Sequence, residues 1–267
     1  MIPAATAYAR ATDLDHALEL LAEPDAKAIA GGQSLIPVMK LRIARPSLVV
    51  DISRLGLRGV AERDGELHIG PLTTWSELID AEPLGRPALA AIAECARGIG
   101  DVQVRNLGTV GGSVAHADPA SDMPAVLLAL GARLELRSPA GAREAALADV
   151  LLGPFTTALG LQELVTDIVI PLPATGSGSA YAAVEHPASG FALAGAAALS
   201  TPAGEAVALT GVGSRPFVLP EGDLREAIAA AEIFGDRFAS DVYRRELAAV
   251  VAERALATAR DRAKEDA

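Results

Sequence analysis

The sequence is poor in cysteine, in aromatic residues and in positive charge. Of its 267 residues only Cys95 is a cysteine, which excludes a disulfide framework and any iron–sulfur cluster ligated by this chain alone. Aromatic residues make up 3%, so the core must be built from Ala, Val, Leu and Ile. Lys and Arg number 23 against 34 Asp and Glu, and the net charge of −11 argues against nucleic acid or an anionic membrane as a partner.

Long apolar runs are also missing. The most apolar windows lie around 123–132 and 191–199, and both are shorter than the ~20 residues that a membrane span needs. The start of the chain has neither the basic region nor the apolar run of a signal peptide, so we expect a cytoplasmic protein without a membrane span. The remaining composition, 51% hydrophobic and 21% charged, is typical of a folded chain large enough for two or three subdomains.

Hydrophobic periodicity predicts strands and helices without regular βαβ alternation, which favours the α+β class over a doubly wound sheet. Helices are predicted after Asp13 as N-cap, over 88–96, over 125–130 with Asp122 as N-cap, and over 243–251. Strands are predicted at 27–30, 48–52, 66–70, 133–137, 164–170, 181–185, 191–199 and 206–212. Residues 108–112 are expected to form a glycine-rich loop, and residues 174–179 a linker.

Two glycine pairs, Gly31-Gly32 and Gly111-Gly112, each follow an apolar stretch and precede polar residues. A missing Cβ lets the backbone approach a ligand, and successive free N–H groups in such a turn suit a pyrophosphate. We therefore expect a β-branched side chain at Gly32 or Gly111 to block a ligand of this kind while leaving the chain folded. Neither segment fits the Rossmann or Walker glycine pattern. On the residues alone, an ordinary tight turn is the favoured interpretation of each pair, since glycine is common in turns.

The residue patterns of these segments resemble those of the molybdenum hydroxylase flavoprotein family. That family includes the medium subunit of carbon monoxide dehydrogenase and the FAD subunits of xanthine-dehydrogenase-like enzymes. AGGQSLIPVMKLR at 30–42 is similar to the family's first FAD-binding loop, and GDVQVRNLGTVGGS at 100–113 to its second. Further matches are AHADPASDMP at 115–124, ELVT at 163–166, HPASGFA at 186–192 and YRRELA at 243–248. The resemblance therefore covers almost the whole chain in order.

The resemblance implies an α+β fold with a two-subdomain FAD-binding part of the vanillyl-alcohol-oxidase/PCMH type, followed by a C-terminal α/β domain. The implied domains are an N-terminal FAD-binding subdomain at 1–57, a central one at 58–173 and a C-terminal flavoprotein domain at 178–267. Noncovalent FAD is expected in the cleft between the first two.

The resemblance also implies which residues bind FAD. The backbone of the first loop would cradle the pyrophosphate, and the second loop would form the opposite wall. Asp122 would bond the adenosine part; Asp118 would do so too or would only set the turn before Pro119. Val165 would line the cofactor through its backbone or belong to a core strand. The full set is Ala30, Gly31, Gly32, Gln33, Ser34, Leu35, Thr109, Gly111, Gly112, Ser113, Asp118, Asp122, Val165 and Phe191.

Some features depart from the family or carry no chemistry. Phe191 matches an aromatic residue that screens the isoalloxazine ring, but it lacks the hydroxyl of the tyrosine in the carbon monoxide dehydrogenase branch. A lysine that the family often carries near Ala183 is absent. No catalytic residue and no metal ligand is expected, since His68, His116 and His186 lack metal-ligand spacing.

The implied function is that of the FAD subunit of a heterotrimeric molybdenum hydroxylase. A molybdopterin-binding large subunit and a small subunit with 2Fe–2S clusters would be the partners, in a dimer of heterotrimers. FAD would pass electrons from the small subunit to an external acceptor. The single cysteine agrees, because both metal centres must then lie on other chains. A stand-alone FAD oxidoreductase of the vanillyl-alcohol-oxidase-like fold and a non-enzymatic α+β binding module remain the alternatives.

Overall fold

Three main β-sheets follow one another along the chain, with helices packed between and upon them. The computed structural model describes residues 2–266. One sheet is parallel and two are antiparallel, so the chain has the α+β architecture that the sequence predicts. Within the described residues, no helix has both the length and the apolar character to cross a membrane.

The first sheet has three parallel strands in the order β1-β3-β2. Helix α1 begins after Asp13, whose carboxylate accepts a hydrogen bond from the His16 N–H at 2.8 Å, as predicted for an N-cap. The apolar stripe of α1 packs on Val50 through Ala17 and Leu18. The elements are β1 (Ala7–Arg10), α1 (Leu14–Leu20), β2 (Lys27–Ile29), α2 (Leu35–Lys40) and β3 (Leu48–Asp51).

The second sheet has five antiparallel strands in the order β4-β5-β10-β6-β7. Its strands alternate, so that Leu67 and Ile69 are fully buried while Glu66 and His68 lie on the other face. The strands are β4 (Val60–Arg63), β5 (Glu66–Ile69), β6 (Arg133–Ser138), β7 (Gly141–Ala146) and β10 (Leu164–Pro171).

The helices of the central region cover the buried face of this sheet. Helix α7 is enclosed on all sides from Met123 to Ala129, because it packs on α4 and also on the third sheet. The elements are α3 (Trp75–Ile79), α4 (Ala90–Gly98), α5 (Val102–Arg105), α6 (Val110–His116), α7 (Asp122–Ala129) and α8 (Leu147–Val150), with the short strands β8 (Leu151–Gly153) and β9 (Thr156–Thr157) and two 3₁₀ turns at Glu82–Gly85 and Pro87–Leu89.

The third sheet is buried on both faces, which explains its small residues. Helix α10 packs on β11 and β12, while α4 and α7 cover the opposite side. A Cβ on Gly178 would lie 2.3 Å from the Ala259 carbonyl oxygen of α10, so only glycine permits this approach. The elements are β11 (Gly178–Glu185), β12 (Ala192–Thr201), β13 (Gly204–Thr210), β14 (Phe217–Val218), α9 (Leu224–Ala230) and α10 (Asp241–Glu265).

The second half of the segment expected to be a linker is instead packed against the rest of the chain. Ser177 and Ser179 are fully buried, and the Asp266 carboxylate accepts a hydrogen bond from the Gly176 N–H at 2.9 Å. Its glycines and serines serve close packing against α10. The strand predicted from Phe191 begins one residue later, at Ala192.

Candidate functional site

The first glycine loop connects β2 to α2. Gly32 has φ +72°, a left-handed conformation that glycine adopts without strain. The Gln33 side chain donates to the Gly31 carbonyl oxygen at 3.3 Å, within the loop. Ser34 is the residue before α2, and its hydroxyl makes no capping bond to that helix. The loop therefore presents its backbone and a serine hydroxyl rather than charged side chains.

The backbone N–H groups of this loop are free. Among residues 2–266, no protein acceptor takes up the N–H of five consecutive residues, Gly31, Gly32, Gln33, Ser34 and Leu35. Backbone donors are normally paired, so a run of free ones is unusual. Successive N–H groups around a residue of positive φ bind anions. The first loop thus has the donor set that an anionic group requires.

The two glycine segments meet backbone to backbone. A Cβ on Gly31 would lie 1.7 Å from the Leu107 carbonyl oxygen and 3.0 Å from the Gly108 Cα. Any larger residue at Gly31 would push the loops apart. The structure therefore brings the first loop directly against the segment that leads into the second.

The second segment is the start of a helix and not the loop that we expected over 108–112. Thr109 is the N-cap of α6, and its hydroxyl accepts from the Gly112 N–H at 3.2 Å. The Val110 and Gly111 N–H groups donate to the carbonyl oxygens of Thr73 and Pro71, at 3.1 and 2.8 Å. Because its amides already have acceptors, this segment cannot supply a second set of free N–H groups.

The glycines of the second segment serve packing. A Cβ on Gly111 would lie 2.4 Å from the Pro71 Cβ and 2.8 Å from its carbonyl oxygen. A Cβ on Gly112 would meet only the Thr109 hydroxyl, at 2.8 Å. The fold itself thus requires glycine at 111, which contradicts the expectation that a bulky residue there would leave the chain folded. At Gly32 a Cβ would face the Ile36 and Ile29 side chains, at 2.8 and 3.1 Å.

Ser113 and Asp118 lie around the α6–α7 connection. The Ser113 and Ser121 hydroxyls are 2.6 Å apart and share a hydrogen bond. The Asp118 carboxylate accepts from the Ala120 N–H at 2.9 Å. Asp118 therefore sets the turn before α7, and its contact with FAD stays a prediction.

Asp122 is the first residue of α7. We expected its carboxylate to cap the helix, and it does not. Ser121 is the N-cap residue, and the Asp122 carboxylate accepts instead from the Tyr181 hydroxyl of β11. Burial is the main cause that raises the pKa of Asp122 to about 6, with Glu185 and Asp118 adding to it and the Tyr181 hydrogen bond opposing it. Asp122 is thus a half-buried carboxyl group whose pKa lies above the usual range of an aspartate.

Val165 and Phe191 lie apart from the glycine loops in sequence and differ in exposure. Val165 is on β10 opposite Leu136, with its side chain in the central core. Only its backbone is therefore available to a ligand. Phe191 directly precedes β12 and is 49% exposed, and its carbonyl oxygen accepts from the His186 N–H at 2.8 Å. Its ring is accessible for stacking.

Sequence reasoning missed the residues that hold the second segment in place. Thr74 and Glu77 form a capping box at the start of α3, and Thr74 bridges to Thr109. The Trp75 N–H donates to the Gly108 carbonyl oxygen at 3.2 Å. The Thr-x-x-Glu spacing was a readable signal for the helix start. Nothing local signalled the contact of Tyr181 with Asp122, which are 59 residues apart.

Two other features lie away from the glycine loops. His68, Glu135 and Asp167 place possible ligand atoms within 4.8 Å of one another, but His68 Nδ1 and Asp167 already share a 2.8 Å hydrogen bond and Arg63 lies 3.8 Å from Asp167. A cavity of about 850 Å³ lies between the start of α1 and strands β6 and β7. None of the predicted FAD-binding residues lines that cavity.

Comparison with known proteins identifies relatives of the whole chain. A family model described as the FAD binding domain in molybdopterin dehydrogenase matches residues 4–173. The carbon monoxide dehydrogenase medium chain of Afipia carboxidovorans is 37% identical over 99% of this chain and 100% of its own length. The glyceraldehyde dehydrogenase medium chain of Sulfolobus acidocaldarius is 41% identical over 74% of this chain and 70% of its own.

Solved structures agree with these relatives. A chain of the Cu,Mo-CO dehydrogenase in its cyanide-inactivated form superposes with a TM-score of 0.91 at 36% identity, covering 98% of this chain and 100% of that one. A chain of quinoline 2-oxidoreductase from Pseudomonas putida gives a TM-score of 0.88 at 27% identity, covering 98% and 99%.

Proposed function

This chain belongs to the family of FAD-binding domains of molybdopterin dehydrogenases, and on that premise we propose that it is the FAD-carrying electron-transfer subunit of a molybdenum hydroxylase. Membership makes the chain an oxidoreductase subunit with FAD as its cofactor. It disfavours the non-enzymatic binding module that the residues alone left open. The stand-alone oxidoreductase is the alternative that the experiments below must exclude.

The free amides of the first loop carry the proposal for FAD. The N–H groups of 31–35 have no protein acceptor in the described chain, and they suit the two negative charges of a pyrophosphate. Gly31 keeps this loop against Leu107, and the hydroxyls of Ser34 and Ser113 are further donors. These residues fit FAD better than FMN, which has one phosphate and no pyrophosphate. When bound, FAD supplies the redox chemistry, taking electrons from an iron–sulfur subunit and giving them to an external acceptor.

The proposed domains place this loop at a boundary. Residues 1–57 would form the N-terminal FAD-binding subdomain, 58–173 the central one and 178–267 the C-terminal domain. Gly31 of the first and Leu107 of the second are in direct backbone contact, so the loop lies where the two proposed subdomains meet. Cofactor sites commonly occupy such junctions.

The metal centres of the enzyme are assigned to other chains. Cys95 is fully buried, and burial raises the pKa of its thiol well above the ordinary value. A buried thiol of this kind is a poor metal ligand, since ligation requires the thiolate. We therefore assign the molybdopterin to a large subunit and the 2Fe–2S clusters to a small subunit, with two heterotrimers in the assembly.

Substrate choice is assigned to the molybdenum subunit as well. Relatives at 34–41% identity are named for carbon monoxide, glyceraldehyde, nicotine, caffeine and xanthine. These molecules differ widely in size and chemistry, which supports recognition by another subunit. The role of the present chain is therefore to bind and orient FAD and to shield it from solvent.

The test is purification of the tagged chain from its native host under mild conditions. We expect a large and a small subunit to copurify, together with molybdenum, iron and FAD, in a complex whose mass fits two copies of each chain. Omitting the tag provides the control for nonspecific capture. Recovery of the chain alone, with a flavin that an organic substrate reduces, would establish the stand-alone oxidoreductase instead.

A further inference from the structure

The Asp122 carboxyl group is half-buried, and no cation lies beside it in the described part of the chain. Its one side-chain partner in the described chain is the Tyr181 hydroxyl, and no salt bridge among residues 2–266 includes it. A half-buried carboxylate with one side-chain donor keeps lone pairs that can accept a further hydrogen bond. Such free acceptors beside a proposed cofactor site are candidates for ligand contact.

Ionisable groups face Asp122 from three neighbouring segments. Glu185 and Tyr181 face it from β11, Asp118 from the turn before α7, and Cys95 from α4. Glu94, also on α4, is neutralised by Arg262 at 2.9 Å. Burial and Asp122 together raise the pKa of Tyr181 well above its ordinary value, so its hydroxyl stays a donor.

Asp122 is also connected to the glycine loops through a short series of contacts. Gly31 abuts Leu107, which leads through Thr109 into α6. In the first turn of α6, Ser113 bonds Ser121, the residue directly before Asp122. These contacts link the Asp122 carboxylate to the loop that would hold the pyrophosphate.

From this geometry we propose that Tyr181 is a positioning residue for FAD: its hydroxyl holds one carboxylate oxygen of Asp122 and leaves the other to accept a hydrogen bond from a cofactor hydroxyl. The inference rests on the proposed function, and it adds a residue to the site. Tyr181 would act through Asp122 and would not itself contact the cofactor. Its ring packs over Gly195, where a Cβ would lie 2.4 Å from the Tyr181 hydroxyl oxygen, so the hydroxyl is held toward Asp122.

A pH dependence of FAD binding follows. An ionised carboxylate accepts from both Tyr181 and the cofactor, whereas protonation places a donor where an acceptor is needed. Because the pKa of Asp122 is raised to about 6, its ionised form is lost as pH falls through that value. FAD affinity should therefore be constant above about pH 6 and should fall below it.

The experiment is a titration of the flavin-stripped full chain with FAD across pH, comparing wild type, Tyr181→Phe and Asp122→Asn. Well above pH 6 we expect Tyr181→Phe to bind about threefold to tenfold more weakly, the effect of one hydrogen bond. Its loss of affinity should also begin at a higher pH than in wild type, since Tyr181 no longer stabilises the carboxylate. Asp122→Asn should bind weakly without the inflection near pH 6.

A matched control separates this role from a structural one. Tyr243→Phe removes the same hydroxyl from an exposed position on α10 and should change neither the affinity nor the inflection. Circular dichroism checks that all variants are folded. Unchanged affinity and inflection in a folded Tyr181→Phe would overturn the inference while the wild-type chain still binds FAD. If the wild-type chain binds no FAD at any pH, the proposed function fails instead.

Discussion

Replacing Gly32 by alanine tests whether the free amides of the first loop bind the cofactor. Gly32 has φ +72°, and an L-residue in that conformation costs about 1–2 kcal/mol. The new Cβ would also crowd the Ile36 Cδ1 at 2.8 Å, but Ile36 is a flexible, 40% exposed side chain that can move. Relief of the strain rotates the peptide planes on both sides of Gly32. The array of N–H groups from 31 to 35 is then lost.

The effect on FAD follows from the number of hydrogen bonds removed. A hydrogen bond to a charged group contributes about 1.5–3 kcal/mol. Losing two amide contacts to the pyrophosphate would therefore cost about 3 kcal/mol or more, which corresponds to an FAD dissociation constant raised ~100-fold. The strain alone should lower the melting temperature of the flavin-free chain by only a few degrees.

Gly131 provides the matched control. It has φ +69°, close to that of Gly32, and a Cβ there would meet nothing within 4 Å. It lies in the turn between α7 and β6, outside the predicted site. Gly131→Ala should show a similar loss of melting temperature with unchanged FAD affinity, measured by titration of flavin fluorescence. Equal FAD affinity in the two variants would refute the assignment of the first loop.

Three further outcomes are expected. Gly111→Val should prevent stable folding whether or not FAD is present, because its Cβ would overlap the Pro71 backbone; circular dichroism would show this, and a folded variant that merely lost FAD would contradict it. Gly178→Ala should loosen α10 from β11, since its Cβ would lie 2.3 Å from the Ala259 carbonyl oxygen; faster proteolysis of the C-terminal helix would report it, and wild-type resistance would count against the contact. Denaturation and filtration should release all flavin as FAD, whereas flavin retained on the polypeptide would show a covalent link.

The class of the fold could be predicted because its signals are local. The alternation of Leu67 and Ile69 against Glu66 and His68 identifies a half-buried strand, and Asp13 at the start of an apolar stripe identifies a helix start. The Gly111-Gly112 pair led to the wrong prediction of a loop. A glycine pair taken by itself indicates a turn, whereas here Gly111 permits helix α6 to approach Pro71. Segment 174–179 misled similarly: its small residues fit beneath α10, a partner some 80 residues away.

The sequence identified the two glycine segments of the site, but it did not show which of them has free backbone N–H groups. Both glycine segments were identified, yet only the structure distinguishes the free amides after Ala30 from those of 110–112, which already have acceptors. That difference depends on Thr73 and Pro71, far from the segment in sequence. The Asp122–Tyr181 hydrogen bond joins helix α7 to strand β11, and no periodicity encodes such a pairing.

The most direct test of the electron-transfer role is the absorbance of the flavin after rapid mixing with the substrate of the complex. We predict that substrate bleaches the flavin when the molybdenum and iron–sulfur subunits are present, and that reoxidation by the external acceptor restores it. The isolated chain, loaded with FAD and mixed with the same substrate, should show no change. Bleaching of the isolated chain at a comparable rate would contradict the account, since electrons would then reach the flavin without the other subunits.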